Sequence, residues 1–167
     1  MTSYAAFLRG VSPMNAKMPE LVRAYAKAGF EDVATVASSG NVVFRAKGAL
    51  SAIEKRANAA TKFLAFVRPI AQLEELLEAD PFARFEVPAA AKRVVTFFRD
   101  RPTQIPKLPI TLEAATIYTA LDHAILTAYV PKPGNPVFMT LIEKTFGKDI
   151  TTRTWDSVAR IVAKAPG

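Results

Sequence analysis

An α+β fold built from two copies of one module is what this sequence predicts, and three observations carry the prediction. First, the segments starting at Arg68 and Arg153 share a plan 85 positions apart. Arginine leads and a large apolar residue follows at plus two (Ile70, Trp155). Apolar residues recur at plus five, eight and nine (Leu73, Leu76, Leu77; Val158, Ile161, Val162), and proline closes both segments (Pro81, Pro166). That spacing is helical, used twice. Second, Ala6-Phe7-Leu8-Arg9-Gly10 is echoed by Thr96-Phe97-Phe98-Arg99-Asp100, so each half opens with an apolar strand that ends in arginine. Third, the elements between these landmarks run β-α-β-β-α-β and then α, the order of a split-βαβ sandwich in which two helices cover one face of an antiparallel sheet. The expectation is therefore two tandem ferredoxin-like (βαββαβ plus α) subdomains from an internal duplication. Residues 1–80 form the first module, 81–91 a linker and 92–167 the second module.

Each element follows from local signals. Tyr4 to Leu8 is a short apolar strand. Met18, Leu21, Val22, Tyr25 and Ala26 keep helical spacing, with Pro19 suited to the first turn and Gly29 as the stop. Val33 to Ala37 and Asn41 to Arg45 are β-rich runs separated by Ser38-Ser39-Gly40, which reads as a hairpin. Leu50, Ile53, Ala57 and Ala60 mark a second helix, Lys62 to Val67 a strand, and Pro69 to Ala79 the closing helix. In the second half, Arg93 to Phe98 is a strand, and the proline-punctuated stretch from Arg101 to Pro109 stands where a shorter helix belongs. Ala115 to Thr119 and Ala124 to Val130 form a second hairpin. Asn135 and Pro136 open a helix with Phe138, Leu141, Ile142 and Phe146 on its apolar face, Ile150 lies in an extended piece, and Thr154 to Lys164 is the last helix.

Composition narrows the chemistry. Half of the 167 residues are hydrophobic, enough for a packed core. Cysteine is absent, which removes disulfides, thiolate metal sites and thiol nucleophiles. The longest run of large apolar residues, Phe63 to Val67, is too short to span a bilayer, and the N-terminus lacks a signal-like pattern, so a cytoplasmic location with no membrane partner is expected. Formal charge is +7, with ten basic against eight acidic residues before Arg84 and twelve against seven from there on. Such a surplus favours an anionic partner, small molecule or nucleic acid, through long-range attraction, although a soluble surface alone also carries it.

A right-handed crossover makes the first two strands of such a module point the same way, so the end of the first strand and the hairpin tip share one rim of the sheet. Arg9, Gly10 and Lys17 would meet Ser39, Gly40 and Asn41 there. Guanidinium, ammonium, hydroxyl, amide and backbone N–H groups are anion-binding groups, while Ser-Ser-Gly-Asn is equally ordinary turn chemistry. Arg153 and Trp155 open the last helix, where unpaired backbone donors and the dipole also favour anions. In that setting Trp155 is first a core residue beneath the helix start, Thr154 its cap and Asp156 an electrostatic aid to the first turn.

Catalysis has little to rest on. His123, the lone histidine, follows Asp122 at a hairpin tip, a turn position and not that of a general base. One histidine without cysteine argues against ordinary zinc ligand sets, and no P-loop, G-x-G-x-x-G or G-x-S-x-G pattern occurs. No catalytic residue, cofactor or metal is assigned from the sequence.

Phe7-Leu8-Arg9-Gly10-Val11, Lys17-Met18, Glu20-Leu21, Gly29-Phe30, Asp32-Val33, Ser39-Gly40-Asn41-Val42-Val43-Phe44 and Thr152-Arg153-Thr154-Trp155 together resemble the bacterial domain-of-unknown-function family 1697. The resemblance implies a two-part α+β fold and no established activity. Where relatives carry an Asn-Val-Gly-Gly loop after Leu-Arg-Gly, this chain has Ser12-Pro13-Met14-Asn15. Ser38 replaces a glutamine, and Thr154 and Asp156 replace two asparagines. The leading expectation is a non-enzymatic binding module for a phosphorylated metabolite, nucleotide or RNA. The alternatives are a structural or protein-interaction unit and an enzyme of unknown reaction.

Overall fold

The structure is a computed structural model, and it describes residues 1–37, 40–133 and 137–167. It is α+β, with two antiparallel sheets and, among the described residues, five α-helices. Two compact units are formed, Met1–Ala79 with Asp156–Gly167, and Asp80–Trp155. The pattern of the sequence places the last helix in the second module; in space it belongs to the first unit.

In the first unit, β1 (Thr2–Leu8), β2 (Glu31–Val36), β3 (Asn41–Ala46) and β4 (Ala65–Pro69) lie in the order β2-β3-β1-β4. β1 is central because it is apolar at every position from Tyr4 to Leu8, and a strand buried on both faces needs no alternation. One face receives α1 (Met18–Lys27) and α2 (Leu50–Ala60). Leu21, Tyr25, Ile53 and Ala57 from the helices pack on Tyr4, Ala6, Leu8, Val42, Phe44 and Val67. The Phe30 and Phe44 rings sit 4.3 Å apart, and the Tyr25 ring meets Phe44 edge-on at 5.6 Å. On the opposite face Ala5, Phe7, Val43 and Phe66 are also fully buried. α3 (Ile70–Ala79) packs on β1 and β4 and buries Ile70 and Leu73, while α5 (Trp155–Lys164) buries Val158 and Ile161.

In the second unit, β5 (Lys92–Phe98), β6 (Ile110–Leu112), β7 (Ala115–Ala120), β8 (Ile125–Tyr129) and β9 (Ile150–Thr154) lie in the order β6-β7-β8-β5-β9. α4 (Val137–Phe146) covers one face, where Leu141 and Ile142 meet Phe98, Ile117, Ile125 and Ile150. The expected helix between Arg101 and Pro109 does not form. Pro102, Pro106 and Pro109 deny the stretch the N–H groups and backbone angles of a helix interior, and the chain turns instead into the extra edge strand β6. Residues 81–91, expected as a linker, carry a 3₁₀ turn (Pro81–Arg84) whose Phe82 is buried edge-on against Trp155, with ring centres 5.3 Å apart. The expected helix start at Asn135 and Pro136 falls outside the described residues.

Candidate functional site

Three chain segments meet where β1 ends. Phe7 pairs with Asn41, and the Leu8 N–H donates to the Gly40 carbonyl at 2.7 Å, so the β2–β3 hairpin flanks one side of the strand. On the other side the Arg9 N–H donates to the Leu64 carbonyl at 2.9 Å. The chain then turns through Gly10, at φ +80°, into a compact loop. Asn15 closes it: its amide donates to the Gly10 carbonyl and its Oδ1 accepts from the Ser12 N–H, both at 2.8 Å. Lys17, exposed at the far end, starts α1, and its carbonyl takes the Glu20 and Leu21 N–H groups.

Gly40 is fixed by space as well as by backbone angle. At φ +82°, a Cβ there would sit 2.8 Å from both Cβ and Cγ2 of Val11. Any larger residue would push the Gly10 loop off the hairpin. The structure therefore brings Arg9 and Gly10 together with Gly40 and Asn41, as the topology implied.

Asn41 plays another part than a ligand contact would require. It is fully buried, and its Nδ2 donates to the Val36 carbonyl at 3.0 Å across the base of the hairpin. Its amide ties the end of β2 to the start of β3. Ser39 lies outside the described residues. Arg9 is half-buried at the rim.

Arg153 and Trp155 lie in the second unit. Arg153 is 9% exposed, and its Nη1 donates to Thr151 Oγ1 at 2.8 Å and to the Thr152 carbonyl at 2.9 Å. Burial lowers its pKa to about 10, which leaves it protonated at neutral pH. Trp155 is half-buried, with the Arg93 guanidinium 5.9 Å from its ring centre and 5.7 Å from that of Phe82. The arginine that leads the other repeat, Arg68, is also buried in an edge strand, and its Nη1 likewise donates to the carbonyl one residue back, Val67, at 2.9 Å. The repeated arginine thus folds back along its own strand in both units.

Two side chains on α2 have a role the sequence reading missed. Glu54 Oε2 accepts the Val67 N–H at 2.9 Å and lies 3.8 Å from Arg68 Nη1. Asn58 accepts the Ala65 N–H at 2.8 Å and donates to the Ala65 carbonyl at 3.0 Å. Spaced by four residues on one helical face, they supply edge strand β4 with the hydrogen bonds a neighbouring strand would give. Their i, i+4 spacing beside the core positions Ile53 and Ala57 was the available signal.

Among the described residues no three His, Asp or Glu side chains are grouped to hold a metal ion, and no helix is long and apolar enough to cross a membrane. The fold is thus an α+β architecture with two antiparallel sheets, and its rim is built chiefly from backbone and polar side chains. Residues 1–117 match the family model described as "Protein of unknown function (DUF1697)", and the chain belongs to that family. The match ends before the Thr152–Trp155 element. Among solved structures, the chain is similar to the conserved bacterial protein SP0830 from Streptococcus pneumoniae, with a TM-score of 0.69 and 17% identity over 98% of this chain and 97% of that one. At that identity the likeness shows the fold alone. No curated protein matches the chain.

Proposed function

We propose that the chain is a non-enzymatic binding module for an anionic ligand, a phosphorylated metabolite, nucleotide or RNA, taken at the rim of the first unit in the bacterial cytoplasm. The observation that carries this reading is the junction at the end of β1. There Arg9, Gly10 and Gly40 are held together by the Leu8-to-Gly40 hydrogen bond and by a contact that only glycine allows. Arg9 and Lys17 supply charge, Ser39 a hydroxyl, and Gly10 exposed backbone that a phosphate can approach, while Gly40 lets the Gly10 loop close on the hairpin. Asn41 shapes the hairpin from beneath. In the same reading both units are ferredoxin-like modules from one duplication: β7, β8, β5 and β9 follow the order of β2, β3, β1 and β4, and Arg153 repeats the geometry of Arg68.

A thermal-shift screen with nucleotides, phosphorylated sugars and a short RNA pool, run at two salt concentrations, tests the proposal. A specific ligand raises Tm by mass action and keeps most of its effect at the higher salt, whereas diffuse charge attraction fades. Arg9→Gln is expected to remove that shift. If Arg9→Gln responds to every compound as the parent does at low salt, the rim is not the site. The buried amide of Asn41 favours a second reading, a purely structural or interaction role for these motifs, in which Asn41→Ala and Arg9→Gln change only Tm.

A further inference from the structure

We infer that the second unit carries a peptide-docking groove at the outer edge of β6, suited to an extended segment of a partner protein with alternate apolar residues and acidic side chains. A cleft of about 690 Å³ lies there, lined by Ile105 and Pro106 from the preceding loop, Ile110 to Leu112 from β6, and Leu141, Lys144 and Thr145 from α4. Consecutive residues of a strand point to opposite faces, so a cleft lined by three in a row runs along the strand's edge, where backbone donors and acceptors emerge. β6 pairs with β7 on one side and ends the sheet on the other. Leu141, Lys144 and Thr145 share one helical face and form the opposite wall. An open strand edge facing a helix is the setting in which a peptide adds a strand, with backbone bonds supplying affinity and alternate side chains supplying selectivity.

Two further observations choose the occupant. Ile105 and Leu112, 36% and 44% exposed, are among the few large hydrophobic residues left at the surface, and both line this cleft, which favours apolar side chains at alternate positions. Lys144 is exposed on the helical wall and Lys107 follows the loop wall, while the unit as a whole holds ten basic against seven acidic residues. Charge complementarity therefore selects an acidic segment over a basic one. β6 is three residues long, so the contact is short and a transient complex is expected.

The test is a phage-displayed library of random octapeptides panned in parallel on the full chain and on its Leu112→Asp variant. Leu112 is exposed, and circular dichroism is used to confirm that the variant folds. Peptides kept by the parent and lost by the variant are expected to alternate apolar residues with Asp or Glu. Amide shifts on adding a synthetic copy of the best one should fall on residues 104–112 and 141–145. Lys144→Glu, on an exposed helical surface that tolerates it, should weaken that peptide by roughly threefold to tenfold. Enrichment of lysine- or arginine-rich sequences, equal retention by parent and Leu112→Asp, no enrichment at all, or a concentration-dependent dimer abolished by Leu112→Asp would each overturn the proposal, the last in favour of a second copy of this chain.

Discussion

In the first unit both outer strands of the sheet meet side chains. Glu54 and Asn58 of α2 bond the backbone of β4, and Lys164 of α5 donates to the Thr35 carbonyl of β2 at 2.8 Å. In the second unit β6 meets a cleft at the position where the sheet stops. The difference traces to the segment that follows the first strand of each unit. Residues 18–27 form a helix and residues 101–109 do not, because proline interrupts the latter three times. Without that helix the chain extends the sheet by one strand and leaves its last edge beside α4. An edge sealed by charged or amide side chains resists added strands, whereas a bare one invites them.

The sharpest way to break this comparison is to unseal β4. Asn58→Ala removes two hydrogen bonds to Ala65, a fully buried residue. A loss of about 2 kcal/mol is expected, read as a fall in Tm of roughly 4–8 °C in calorimetry. No change would mean that the helix does not stand in for a strand.

Among the described residues each unit also buries one hydroxyl that finds no protein partner, Tyr25 Oη in the first and Thr127 Oγ1 in the second. Tyr25→Phe and Thr127→Val are therefore expected to leave stability unchanged or raise it by up to about 1 kcal/mol in denaturant titrations. A clear loss in either would reveal a partner for that hydroxyl. Burial raises the pKa of Tyr25 well above that of an exposed tyrosine. Its folded-state pKa exceeds the unfolded one, so its contribution is intact below pH 10 and declines as the unfolded chain ionises above it. Tyr25→Phe should thus gain on the parent as pH rises beyond 10, measured as the difference in urea midpoint.

Lys164→Gln carries the smallest effect. Its bond to Thr35 is exposed, and a loss below about 1 kcal/mol is expected. A larger loss would make the β2 edge as dependent on its seal as β4.

Much of the fold was legible in the sequence because the repeated signals were local. Helical spacing from Met18 and from Leu50, the apolar run before Arg9 and the glycine before Asn41 each decide their own element within a few residues. The second hairpin was found the same way. The rim was legible too, since strand order places the end of β1 beside the hairpin. The role of Asn41 was not, because an asparagine after Ser-Ser-Gly suits both a surface contact and a buried brace, and only the packing of neighbouring strands chooses. The burial of Arg153 was not legible either, since its aliphatic stem and the Thr151 hydroxyl let a charged side chain lie inside.

Hydrophobic period and turn residues alone thus specified an α+β chain, because those signals act between residues a few positions apart. Tertiary structure alone decided that the last helix joins the first unit and that Phe82 anchors the expected linker. Those outcomes depend on which surfaces distant segments find to bury, and no local pattern encodes that.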